Sequence, residues 1–199
     1  MTNLAAIRDL VRKDLHDTDA SAYRWDDAQL DRHIEHALSD VSLHAPRQLG
    51  ATIATTPGSR DVSLAGLDGL IDVERVEYPA GGYPPCTVPF RRWGETLSLL
   101  VDREPTGDDC TVFYTARHTL DATSSTAPPE LESTLAMGAA AFAVLERAAF
   151  TVEQLNTGGE SAPAQLVAWA KAREVAFRQL LLAHGRVRRP RRAGVSRLA

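Results

Sequence analysis

The chain has 199 residues, of which 44% are hydrophobic and 24% charged, the composition of an ordinary globular protein. A chain of this length buries roughly 70% of its unfolded surface, enough to stand without a metal or a disulfide, and two cysteines are too few for a disulfide framework. The formal net charge is −4, but the charge is unevenly spread: residues 186–199 (RVRRPRRAGVSRLA) hold six arginines and no acid, which leaves 16 of the 22 basic residues against all 26 acidic ones in the rest, a net charge near −10.

The first forty-nine residues read as two amphipathic helices. Leu4, Ile7, Leu10 and Val11 recur at helical spacing, as do Leu30, Ile34, Leu38 and Val41. Asp26 suits the N-cap of the second helix, with Gln29 completing a capping box, and Pro46 marks its approximate end. The start MTNLAAIRDLVRKDL mixes charges among its apolar residues and has no secretory core, so the expectation is a non-exported chain with Cys86 and Cys110 reduced.

From Gly50 to about Leu120 the hydrophobic period changes from helical to two. Strand-like runs lie at 52–56, 62–64, 71–78 and 97–101, and in CTVFYTARHTL the residues Cys110, Val112, Tyr114, Ala116, His118 and Leu120 share one face. GGYPPC at 81–86 reads as an exposed loop. The third region opens at Thr126, Pro128 and Pro129, which suit a helix start. Leu131, Leu135, Gly138, Phe142, Leu145 and Ala149 follow at helical spacing with alanines between, the pattern of a central, closely packed helix. Its apolar run from Leu135 to Leu145, closed by Glu146 and Arg147, is too short for a membrane span. A break at 156–163 precedes a last helix with Leu166, Ala170, Phe177 and Leu181 on one side, for which Gly185 is the expected C-cap before the basic tail.

The expected fold class is therefore mainly α: a small bundle of about four helices with an antiparallel β insertion and a flexible basic C-terminal arm. The expected division is a helical bundle at 1–49 and 121–185, a β insertion module at 50–120 and the arm at 186–199.

Constellations with chemistry are incomplete. His33 and His36 could offer two metal ligands, but only Asp40 stands near as a third, and a solvated helix face is the simpler reading. DTDAS at 17–21 begins like a calcium loop but has Ala22 and Ala28 where Gly and Glu are needed. Cys110 and His118 are eight residues apart on one strand, roughly 27 Å, too far for a nucleophile pair. GxSxG, GxGxxG and Walker-type loops do not occur, so the expectation is no enzyme, no cofactor and no metal.

The arm is the strongest remaining signal. Like-charge blocks with Pro and Gly do not fold alone and commonly act as interaction arms. If all six arginines met phosphates, the logarithmic salt slope would be about −5, so a DNA-binding or packaging accessory protein is one reading. Against it, the body is acidic and the tail has no aromatic residues for stacking.

The segments DLHDTDASAYRWDDAQLDRHIEHALSDVSLHAPRQL, with its aromatic pair Tyr23 and Trp25 before a capped helix, FYTARHTL, and PPELESTLAMGAAAFAVLE are similar to parts of tailed-phage head-to-tail adaptor proteins, including relatives in prophages and gene transfer agents. The resemblance implies a structural virion protein made in the bacterial cytoplasm. It would assemble as a ring of twelve copies at the neck, dock on the portal protein, extend the DNA channel without reading sequence, and receive the next neck or tail-completion protein, with no membrane partner. By position it assigns portal contact to Arg186, Arg188, Arg189, Arg191, Arg192, Arg197 and Leu198.

Overall fold

The computed structural model describes residues 2–154 and 161–188, with the backbone alone at 149–154, 161–163 and 186–188. The described residues form four helices and seven strands. The helices are α1 (Leu4–Asp14), α2 (Asp27–His44), α3 (Pro129–Gln154) and α4 (Ser161–Arg188). The strands are β1 (Arg47–Ala54), β2 (Asp61–Ser63), β3 (Leu70–Glu77), β4 (Thr87–Val88), β5 (Phe90–Trp93), β6 (Thr96–Leu99) and β7 (Asp109–Ala116). The chain divides into a helical unit, 1–45 with 119–199, and a β unit, 46–118.

This corrects the mainly α expectation: the fold is mixed α and β. The β segment has two sheets and a hydrophobic cluster of its own, built from Val62, Val76, Leu97, Leu99, Cys110 and Val112 among others. One sheet runs β1-β7-β3-β4 and the other β2-β6-β5, with every pairing antiparallel. Alternation in β7 is as read for Cys110, Val112, Tyr114 and Ala116, all buried, but the strand ends at Ala116, short of His118 and of Leu120, which packs against the helical core instead. β4 and β5 escape a sequence reading because two- and four-residue strands interrupted by Pro89 are too short to show a period.

In the helical unit α1 is capped by Asn3, whose side chain accepts from the Ala6 N–H at 3.0 Å. The Asp26–Gln29 capping box on α2 closes as expected: the Gln29 N–H donates to Asp26 at 2.7 Å, and the Asp26 N–H donates to the Gln29 side chain at 3.0 Å. α3 packs against α1, α2 and α4. Its residues Ala139, Ala140, Ala141 and Ala143 are wholly buried, so the helix is small where neighbours come close.

Two glycines set how α4 lies. A β-carbon at Gly138 would stand 2.8 Å from the Phe177 ring, which is itself wholly buried. One at Gly185 would stand 2.7 Å from the His44 carbonyl oxygen. Gly185 is therefore not the expected C-cap. α4 continues through it to Arg188, because here the missing side chain serves a close approach to the end of α2 rather than a left-handed stop. The expected break at 156–163 falls partly on 155–160, outside the described residues, and α4 already begins at Ser161.

Gly138→Ala gains about 1 kcal/mol of helix propensity but overpacks a filled site at a cost of about 1–3 kcal/mol. Because the obstacle is a buried ring with nowhere to move, the expected result is a lowered thermal midpoint. An unchanged or raised midpoint, measured by circular dichroism, would contradict the close α3–α4 approach.

Candidate interaction surfaces

The arginines assigned to partner contact divide at the end of α4. Arg186 and Arg188 lie on the helical backbone, whereas Arg189, Arg191, Arg192, Arg197 and Leu198 lie outside the described residues. The helix that carries them is held on its inner side by Ala170, Phe177 and Leu181, all wholly buried. Arg173 adds a charged clamp, donating to Asp14 of α1 at 2.5 Å while its guanidinium covers the Trp169 ring at 4.8 Å. Leu166, placed by periodicity on the inner side, is exposed instead.

The outer side of α4 is apolar. Trp169, Val175, Leu180 and Leu182 are exposed, with Val175 at 54% and Leu182 at 51% of full accessibility. A solvated helix face normally carries charge. The charged residues Lys171, Glu174 and Arg178 sit along the flank instead, where Arg178 bonds to Glu174 at 2.9 Å.

The β unit also has exposed large apolar side chains. Trp93 closes the β5–β6 hairpin at a turn where Gly94 has φ +58°, and it is 86% exposed. Tyr83, in the loop after β3, is 97% exposed, and Leu100 is also exposed. The sequence marked 81–86 as a loop but not that its aromatic residue stands free. Alternation and turn signals locate a loop without saying what its tip meets.

Of the two histidines, His36 is exposed as the solvated-face reading expects, whereas His33 is buried. His33 is 6% exposed, with Nε2 2.9 Å from a Glu146 carboxylate oxygen, and Arg32 pairs with the same carboxylate. His36 stacks on the Phe142 ring at 4.2 Å between centroids. Both side chains are engaged with α3, which spacing along α2 could not reveal. Among the described residues no three His, Cys, Asp or Glu side chains converge as a metal site.

The aspartates of DTDAS have protein partners as well. Asp17 accepts from the buried Arg12 at 2.9 Å, and Asp19 accepts from Ser21 at 2.7 Å. Arg12 also donates to the Trp25 carbonyl at 3.1 Å and to Asp27 at 2.7 Å, and it lies 3.5 Å over the Tyr23 ring. Arg147 of α3 lies over Trp25 at 5.0 Å. The aromatic pair Tyr23 and Trp25 is thus a point where arginines join the 15–26 loop to the helices. Cys86 is an exposed free thiol and Cys110 a buried one, whose pKa is raised by burial.

No protein-family model matches the chain, and no curated protein matches it. The resemblance to head-to-tail adaptors thus rests on the quoted segments.

Burial holds the His33 pKa below its ordinary value of 6.5, with Arg32 and His36 adding to the depression and Glu146 opposing it. The native imidazole is therefore neutral where the unfolded one begins to take a proton, and the helical unit loses stability as pH falls from about 6.5 toward the depressed value. Glu146, its pKa lowered chiefly by the Arg32 hydrogen bond, stays ionised across that window. In urea unfolding, His33→Gln should flatten the dependence between pH 7 and pH 5.5. A variant with the same slope as the parent would show that His33 is not its source.

Proposed function

We propose that this chain is a structural protein of a phage or phage-like particle, the adaptor between portal and tail, acting through assembly rather than catalysis. The observation that carries the reading is the exposure of large apolar side chains on both units: Trp169, Val175, Leu180 and Leu182 on α4, and Tyr83, Trp93 and Leu100 in the β unit. Isolated exposed apolar residues are ordinary, but several grouped on one helix, as on α4, mark a surface meant to be covered. A neck component needs more than one such surface: it must meet its own neighbours, the portal, and the next neck or tail-completion protein. The similarity of 14–49, 113–120 and 128–146 to adaptor sequences supports the same reading.

The arginine-rich end fits attachment. An arm that reaches onto a neighbouring particle component adds affinity by multivalency, and a ring repeats each weak contact in every copy. An acidic body suits a channel that lets DNA pass, because like charges lower sticking.

Negative-stain images of the full chain, alone and mixed with its portal protein, should show rings and rings seated on portals. A chain that stays monomeric and never decorates a portal would overturn the proposal. Deleting 186–199 should leave the circular dichroism spectrum and thermal midpoint in place and abolish attachment; unchanged attachment would remove the role assigned to the arm. In a salt-titrated gel shift, tail-dependent DNA binding with a slope near −5 would favour the DNA-binding accessory protein instead.

A further inference from the structure

Strand β1 leaves one side of its backbone without a partner. Its register with β7 runs unbroken from Arg47–Ala116 to Ala54–Asp109, and one step further the Thr55 N–H donates to the Asp108 carbonyl at 3.2 Å. Bonded pairs alternate along an antiparallel ladder, so Arg47, Leu49, Ala51 and Ile53 exchange bonds with β7, while Gln48, Gly50, Thr52 and Ala54 turn their N–H and C=O groups outward. β1 ends the order of its sheet, and those same four residues are the exposed ones. Among the described residues none bonds to their outward groups.

An open edge is a template for another strand, and proteins ordinarily guard it with charge, proline, a bulge or shortness. The other edges of the β unit are guarded. β4 is two residues long and followed by Pro89, β2 has three residues, and β5 has four and carries Arg91 and Arg92. The part of β3 that β4 does not reach is bulged and holds Asp72, Glu74 and Arg75. By contrast β1 has eight residues, about 27 Å of edge at about 3.4 Å each. After Arg47 at its start, no charge occurs from Gln48 to Thr56 and no proline before Pro57.

The two faces of β1 define what an added strand would carry. On one, Leu49, Ala51 and Ile53 are half-buried against the hydrophobic cluster of the β unit, an apolar row still open at the edge. On the other, Gly50 lies beside the half-buried Phe113 ring, and a β-carbon at Gly50 would stand 3.5 Å from it. An added strand sends alternate side chains to these two faces.

We propose that β1 is a docking edge for an extended, uncharged segment of a partner protein, paired antiparallel along Gln48–Ala54. Its apolar side chains, at every second position, continue the row of Leu49, Ala51 and Ile53, and the residue between them that pairs with Gly50 rests against Phe113. Antiparallel pairing follows the rest of the unit, in which every ladder is antiparallel. A second copy is the poorer occupant: residues 1–185 carry 16 basic and 26 acidic residues, so edge-to-edge pairing brings two acidic bodies together, whereas an uncharged segment adds no like charge. The proposal stands apart from the adaptor reading and needs neither a ring nor a portal.

The test is residue-resolved amide hydrogen exchange on the full chain with two synthetic peptides, each of about eight alternating valines and threonines with blocked ends. One is N-methylated on its valines and the other on its threonines, so composition is equal and only the bonding edge differs. With valines placed beside Leu49, Ala51 and Ile53, the threonine N–H groups are the ones that meet β1. In the chain alone the amides of Gln48, Gly50, Thr52 and Ala54 should exchange quickly and those of Leu49, Ala51 and Ile53 slowly. The valine-methylated peptide should slow the first set about tenfold or more, because bonded amides are protected, and the threonine-methylated peptide should not. Thr52→Pro removes one outward N–H and no bond to β7, and it should abolish the effect. Where that variant lowers the thermal midpoint, the two peptides decide alone, since they leave the protein unaltered. No protection by the first peptide, equal protection by both, or protection that survives Thr52→Pro in a folded variant would each overturn the proposal. Outward amides that become protected in the chain alone as its concentration rises would make a second copy the occupant and overturn it as well.

Discussion

The helical unit depends on one constraint: the middle of α3 has no side left for water. Residues Ala139 through Val144 are six in a row and all buried, and six residues sweep more than a full helical turn. Every direction around that turn must therefore be covered, which α1, α2 and α4 do. Alanine makes this possible because small side chains let helix axes approach, and Gly138 carries the approach furthest, with the Phe177 ring in the space a β-carbon would occupy. Once Phe177, Ala170 and Leu181 are directed inward, the rotation of α4 about its axis is set. The apolar residues on its other side are then exposed as a consequence of how the inner side packs.

Electrostatics does a different task in the same unit. A buried charge is costly unless it is paired and hydrogen-bonded, and Arg12 meets that requirement through Asp17, Asp27 and the Trp25 carbonyl. The loop between α1 and α2 is held by this guanidinium and by Arg147, which donates to the Arg24 carbonyl at 2.8 Å, with Asp17 also accepting from the Arg24 N–H at 2.9 Å. Arg8 adds exposed and half-buried bonds to Asp27 and Asp31 at 2.8 Å, which contribute less because water screens them. An excess of acids over bases in the body thus coexists with arginines used as structural centres. Six of the 22 basic residues are gathered at 186–199 with no acid among them.

The two regions of the chain differ in how openly their sequence displays structure. The capping box at Asp26 and Gln29 and the face of β7 from Cys110 to Ala116 were legible because each rests on near neighbours in sequence. The second sheet was legible only in part: the runs at 62–64 and 97–101 are β2 and β6, but their pairing across some thirty-five residues, through Asp61–Ser98, Val62–Leu97 and Ser63–Thr96, leaves no local sign, and β5 is too short to show alternation. The mainly α expectation came from treating the β segment as an insertion in a bundle, whereas it has two sheets and a hydrophobic cluster of its own. The histidines likewise leave no local sign of their partners. His33 and His36 three apart suggest a shared face, but Glu146 and Phe142, more than a hundred residues later, determine what each ring does.

By itself the sequence determined where the helical periods lie, where α2 and α3 begin, that the middle is extended, and that positive charge gathers at one end. These are local matters, governed by side-chain spacing, caps and composition. Tertiary structure alone decided that Gly185 continues a helix rather than ending one, that Leu166 is exposed, that the β segment has its own two-sheet core, and which other apolar residues of α4 remain exposed. Each of those depends on which atoms arrive from distant parts of the chain, and a glycine or a leucine reads the same in sequence whether its neighbour is water, a carbonyl or a phenyl ring.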